Sequence, residues 1–303
     1  MDTERRSDTR RHETGPAPGR IVVQRILHTI HAVRDVHSAR KLYQDAFGAI
    51  AFAERYHEGE DRDMALLYAA NHMIEPMAPR RPDEPDTTFA RYLGKYGEGL
   101  HSFELRIDDA EEAAQICQSR GLALSTVYPK FFFVKPQSTG GLIVQLCGKP
   151  LVNDPHDYRG WRPDWIEGHP SSLRRLRHIA CFVRDLEAAG RFFTEVLAGQ
   201  IVDDERISAP QPGRRLIVLL GDTRVALMAA DDPQTGLFAQ YFSRPVSGVF
   251  SLVWEVDDLD AARAHLEGVD LPLVPSALGL SFAIDPGAMH GARHEFTLSS
   301  QGA

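Results

Sequence analysis

Four times along the chain an apolar run closes on an acidic residue and passes into a stretch whose apolar positions recur at helical spacing. These runs lie at 25–35, 99–109, 177–185 and 248–258. In the first unit a strand is predicted over 21–33 and a helix over 38–47, with Ala39, Leu42, Tyr43, Ala46 and Phe47 on one stripe and Gly48 as its stop. Three short strands follow over 49–56, 64–70 and 72–77, Pro76 and Pro79 end the unit, and 86–96 reads as a connecting helix. The second unit repeats the order: strand 100–107, helix 109–120 with Ala113, Ile116 and Cys117 inward, then strands over 123–127, 131–134 and 142–147. The third gives strand 176–183, helix 186–197 and strands 201–207, 215–220 and 224–228. The fourth gives strand 249–256, helix 259–266 and strands near 271–274, 281–285 and 293–298. Asp108–Asp109 and Asp257–Asp258 fall where helices begin, which capping explains without catalysis.

A strand, a helix and three strands, four times over, predict an α+β fold of tandem βαβββ modules. Two halves of about 150 residues follow from the register: His28 and His178 are 150 apart, Glu75 and Ala226 151, His101 and Phe250 149, Gln145 and Glu295 150. The expected organisation is a disordered leader over 1–20, an N-terminal domain over 21–148, a linker over 149–172 and a C-terminal domain over 173–303. The linker holds four prolines with Trp161 and Trp165, so it is expected to pack on both halves.

Composition narrows the classes. A 303-residue chain with 43% hydrophobic and 25% charged residues is long enough for two cored domains. A net charge of −8 gives no electrostatic reason to expect nucleic acid or an anionic membrane as partner. Cys117, Cys147 and Cys181 are widely spaced, so neither a disulfide framework nor a zinc site of paired cysteines is implied. The leader lacks the apolar centre of a signal peptide, and no run of about 18 apolar residues exists, which leaves a cytoplasmic protein, monomer or homodimer, as the expectation. There is no phosphate-binding glycine loop, nucleophile elbow or HExxH helix.

Candidate chemistry concentrates in Gly97-Glu98-Gly99-Leu100-His101-Ser102-Phe103-Glu104-Leu105-Arg106-Ile107-Asp108-Asp109 and in the tail His290-Gly291-Ala292-Arg293-His294-Glu295-Phe296. A lone histidine in an apolar strand is more often a hydrogen-bonded core residue than a ligand. In these motifs, however, the chain resembles the vicinal oxygen chelate superfamily of glyoxalase I, methylmalonyl-CoA epimerase, extradiol dioxygenases and bleomycin resistance proteins, and its N-terminal half is most similar to the epimerase-like members.

The resemblance implies modules paired into two half-open mixed β-barrels with helices outside, each around a cleft. Carried over position by position, it implies His28, Glu75, His101 and Gln145 as ligands of one divalent metal ion, Mn, Fe, Co, Ni or Zn. Gln145 stands where the family more often has Glu, so Glu75 supplies the single protein charge. Glu75 is also the candidate catalytic base, with Glu54 and His57 as alternatives. The C-terminal half offers His178, Ala226, Phe250 and Glu295 at the matching positions, too few donors for a site, and His294 is expected to point away from Glu295. Three activities stay open: a metal-dependent isomerase, epimerase or lyase on a small oxygen-rich or acyl substrate; an Fe(II) extradiol-type dioxygenase using His28, His101 and Glu75; and a binding protein holding an aromatic molecule against Tyr128, Phe131, Phe133, Trp254 and the linker tryptophans.

Overall fold

The computed structural model describes residues 19–125, 127–151, 154–155, 168–243 and 248–299. The N-terminal half runs β1 (Arg25–Ala32), α1 (Val36–Phe47), β2 (Ile50–His57), β3 (Arg62–Ala69), β4 (His72–Pro79), α2 (Thr88–Tyr96), β5 (Gly99–Arg106), α3 (Ala110–Ser119), β6 (Phe131–Val134) and β7 (Val144–Cys147). The C-terminal half runs β8 (Leu173–Phe182), α4 (Leu186–Arg191), β9 (Gln200–Ile207), β10 (Gly213–Leu220), β11 (Thr223–Ala230), α5 (Gly236–Phe242), β12 (Val249–Val256), α6 (Leu259–Gly268), β13 (Leu273–Val274), β14 (Phe282–Ile284) and β15 (His294–Leu298). The acids that close the apolar runs do cap the helices: Asp35, Asp109, Asp185 and Asp258 each accept from backbone N–H groups of the first turn.

Each half forms one open mixed sheet. The first has order β2-β3-β4-β1-β5-β7-β6 and the second β13-β14-β15-β12-β8-β11-β10-β9. In both, the leading strands of two modules pair antiparallel at the centre, and each carries the last strand of its own module in parallel on its outer side. Two expectations change locally. The strand expected over 123–127 is reduced to a single bridge between Leu124 and Val134. Pro76 lies inside β4 instead of ending it: Pro76 keeps its place beside His31 of β1, while pairing with β3 lapses between Ile74 and Met77, where proline has no N–H to give.

Two bulges set what the first sheet presents. In β1 the register slips between Ile26 and His28, and in β5 it slips at His101, between the pairs Ile30–Ser102 and His31–Leu100. Ile26, Leu100, Phe103 and Leu105 therefore face the main core, while His28, Ile30, Ser102 and Glu104 face the other side.

The main core runs through both halves. Phe47 of α1 lies 5.6 Å from Trp254 and 6.1 Å from Phe296, ring centre to ring centre. Trp254 is fully buried there, so it does not line a cleft as the sequence reading allowed. Its indole N–H donates to His294 Nδ1 at 3.0 Å. Indole only donates, so neutral His294 carries its proton on Nε2 and donates to the Tyr43 hydroxyl at 3.3 Å; Tyr43 then donates to His31 Nδ1 at 2.9 Å, and His31 Nε2 donates to the His290 carbonyl at 3.0 Å. This chain crosses twice between the halves. Close backbone approach joins them as well: Gly291 has φ 77°, and a Cβ there would sit 2.2 Å from the Glu98 carbonyl oxygen. The three cysteines are free and buried. Among the described residues no helix is long and apolar enough to cross a membrane.

Candidate metal centre

The face of the first sheet turned away from the main core carries a row of polar side chains between two small apolar clusters. Leu27, Tyr68, Met73 and Cys147 form one cluster; Ile30, Ala32, Met77, Phe89 and Leu93 form the other. Register places the polar row. His28 lies opposite Glu104, Glu104 lies beside Gln145, and Glu75 lies beside Ile30, two residues along from His28. All four are buried.

His28 Nε2 sits between two carboxylates, 3.3 Å from Glu75 Oε2 and 3.5 Å from Glu104 Oε1. Neither approach has the alignment of a hydrogen bond, and Glu75 Oε2 and His28 Nδ1 are buried without a hydrogen-bond partner. Buried polar atoms left this way cost about 1–3 kcal/mol each. Burial, with the Arg62 charge next, pushes His28 down to about 3, against a smaller upward pull from Asp154. Burial pushes Glu75 up to about 7, and burial together with the Glu75 charge pushes Glu104 up to about 8.

The sequence reading named His28, Glu75, His101 and Gln145. The fold brings His28 and Glu75 together and puts the other two on the same face. His101 has its Nδ1 2.6 Å from Ser102 Oγ and its ring against Phe89 and Tyr92, at 5.2 and 4.3 Å between centres. Burial and the Arg62 charge push it down to about 3. Among the described residues no group of three or more His, Cys, Asp or Glu side chains is arranged to hold a metal ion as they stand. The donor chemistry nonetheless fits one: the neutral His28 imidazole and a Glu75 carboxylate oxygen with no hydrogen-bond partner share one buried spot, mixed N/O donors of the kind divalent ions take, with the Glu104 carboxylate beside them.

Glu104 is the residue that sequence reading missed. Strict alternation from His101 puts Phe103 and Leu105 on the histidine's face and Glu104 on the other; the bulge at His101 reverses that phase. The available signal was a carboxylate inside a strand otherwise buried, with Phe103 and Leu105 as neighbours. The alternative bases lie elsewhere. Glu54 pairs with Arg40 of α1 on the helical side of the sheet, and His57 is exposed at the end of β2.

In the second sheet the matching face is filled with rings. Phe250 stacks on Phe182 at 3.9 Å and meets Tyr241 at 5.5 Å, much as His101 meets Tyr92. His178 and Glu295 both lie beside Val253, Ala226 supplies no donor, and Arg293 approaches Glu295 at 3.8 Å. His294 does point away, into the chain with Tyr43 and Trp254.

Paired βαβββ modules, each half forming one open mixed sheet, define the class to which this architecture belongs. Models of the Glyoxalase/Bleomycin resistance protein/Dioxygenase superfamily match the chain twice, at residues 27–132 and 175–275, and the chain belongs to that superfamily. Part of the chain is similar to shorter relatives. The uncharacterized protein YqjC of Bacillus subtilis (strain 168) is 26% identical over 132 residues, 41% of this chain and 92% of that protein. The mitochondrial methylmalonyl-CoA epimerase of Homo sapiens is 31% identical over 108 residues, 34% of this chain and 58% of the epimerase, so the match spans little more than half of that relative. The whole fold is similar to that of a mutant 4-hydroxymandelate synthase from Streptomyces coelicolor, with a TM-score of 0.64 and 18% identity over 84% of this chain and 78% of that one.

Proposed function

We propose that the chain is a divalent-metal-dependent enzyme of the isomerase, epimerase or lyase type, acting on a small oxygen-rich or acyl substrate at the polar face of its N-terminal sheet. The observation that carries this reading is His28 Nε2 held between the Glu75 and Glu104 carboxylates, with Glu75 Oε2 and His28 Nδ1 buried without a hydrogen-bond partner. Without an ion, two buried carboxylates beside a buried imidazole are a costly arrangement. Similarity of part of the chain to an epimerase supports the reaction type.

In this proposal His28 and Glu75 hold the ion, with His101 and Gln145 reaching from β5 and β7 of the same face. A bound divalent ion supplies Lewis-acid polarisation of a substrate oxygen. Glu104 is then left as the group that takes a proton from the substrate and returns it, since it lies on the same face and is not needed as a donor. Glu75, the base named from sequence, keeps a ligand's role. The two apolar clusters exclude water on either side of the row.

The test is reconstitution. Chelator-treated protein should take up one Mn, Co, Ni, Fe or Zn ion per chain and melt at a higher temperature, by about 2.7 kcal/mol of stabilisation at a hundredfold excess over Kd. No stoichiometric ion and no thermal shift with any of the five would remove the foundation. Oxygen uptake by the Fe(II) form with catechol would replace the isomerase with ring cleavage.

A further inference from the structure

The geometry points to Arg62 as the anchor for a carboxylate on the substrate, so that the substrate is an organic acid carrying a charged end beyond the oxygens that would meet the metal. This deepens the proposed function and rests on it only for the chelating end.

Arg62 opens β3 and lies opposite Pro79, with Met64 and Met77 paired next along the same face as Glu75. Its side chain is 12% exposed, which is deep for a guanidinium. Glu60 takes only Nε. The outer edge meets poor acceptors: Nη1 contacts the Met77 sulfur and lies 4.0 Å from the Met64 sulfur. Thioethers are weak acceptors, so Nη1 of a guanidinium built for two parallel bonds to a carboxylate is left facing sulfur.

The fork is also in the right place. Its carbon lies 5.1 Å from the centre of the Phe89 ring, and that ring stacks at 5.2 Å on His101. Its charge opposes protonation of both His28 and His101 and favours the ionised forms of both Glu75 and Glu104. Arg106 bears on Glu104 and Cys147, and Arg55, opposite Met64, bears on Glu75, but neither acts on His28 or His101 as Arg62 does. A substrate reaching from the His28 row toward Phe89 would bring its far end to Arg62. The side chains between, Ile30, Met77 and Phe89, are apolar, the surface a short carbon chain would contact.

The probes are malate and lactate. Both offer a 2-hydroxy carboxylate to a metal, and malate alone adds a second carboxylate. Calorimetric titration of wild type, Arg62→Met, Arg62→Lys and Arg106→Met, each with and without bound Mn, reads the ratio of the two affinities. Wild type should prefer malate by about 10- to 100-fold, the range of a charge-assisted pair. Arg62→Met should bring the ratio close to 1, and Arg62→Lys should keep part of it. A circular dichroism spectrum and melt for each variant establish that it is folded, and Arg62→Lys, which keeps the charge, still reports if Arg62→Met does not fold. Equal affinities in wild type, or a preference that survives Arg62→Met, overturns the inference, and so does loss of the preference in Arg106→Met alone. Loss of the preference in Arg62→Met in protein that takes up no Mn supports the anchor while removing the metal reading; Mn uptake with a ratio indifferent to Arg62 does the reverse.

Discussion

Removing one oxygen atom from the interior should loosen the two halves from each other. Tyr43 is fully buried, and its hydroxyl is the middle of the chain Trp254–His294–Tyr43–His31–His290. In Tyr43→Phe the ring and its contacts with Phe47 and His294 stay, so no large cavity forms. Two groups lose their partners: His31 Nδ1 loses a donor and His294 Nε2–H loses an acceptor, and both imidazoles are fully buried. At about 1–3 kcal/mol for each orphaned group, the variant should lose about 2–6 kcal/mol. The assay is urea denaturation at pH 7.5, with Tyr56→Phe as comparison: that hydroxyl donates to Asp61 at 2.9 Å but is exposed, so its loss should cost less than about 0.5 kcal/mol. If the two variants lose the same amount, the chain does not hold the halves as argued.

Two further outcomes follow from the same burial. His31 and His294 are pushed down to about 4 and about 3, chiefly by burial, from an ordinary 6.5. Their folded values lie below the unfolded one, so their contribution is whole above pH 6.5 and drains away as pH falls toward 4; His294→Gln should cut the stability difference between pH 7.5 and 5 by about 2 kcal/mol, and an unchanged difference by denaturation at both pH values would refute it. Phe250→His restores an imidazole where His101 has one, but Phe250 is sandwiched by Phe182 and Tyr241, so the change should cost about 1–3 kcal/mol in the same denaturation assay. It should also add no second ion by elemental analysis, because the new imidazole would lie among rings and Arg293 already approaches Glu295; two ions per chain would refute that.

The repeat was legible because each module announces itself twice, by an apolar run and by the aspartate that caps the next helix. Boundaries failed where tertiary pairing decided them: Leu124 keeps one bridge of an expected strand, and Pro76 is carried through β4 by its neighbour on β1. The site was half legible. His28 and Glu75 could be found by their place in two strands, but Glu104 was hidden because a bulge is a slip in pairing between strands, and a single strand's alternation carries no record of it. Trp254 could be read as lining or core from sequence; the partner for its N–H lies 40 residues away, in β15. Trp161 and Trp165, expected to pack on both halves, lie outside the described residues, as do residues 1–18 of the expected leader.

The central claim is that the working site lies in the N-terminal half alone. Elemental analysis of reconstituted wild type, His28→Ala, His101→Ala and Glu295→Gln tests it most directly, with circular dichroism establishing that each is folded. The account predicts one ion per chain in wild type and in Glu295→Gln, with affinity reduced by about 10- to 100-fold or more in each histidine variant. An ion lost from Glu295→Gln and kept by His28→Ala would contradict it.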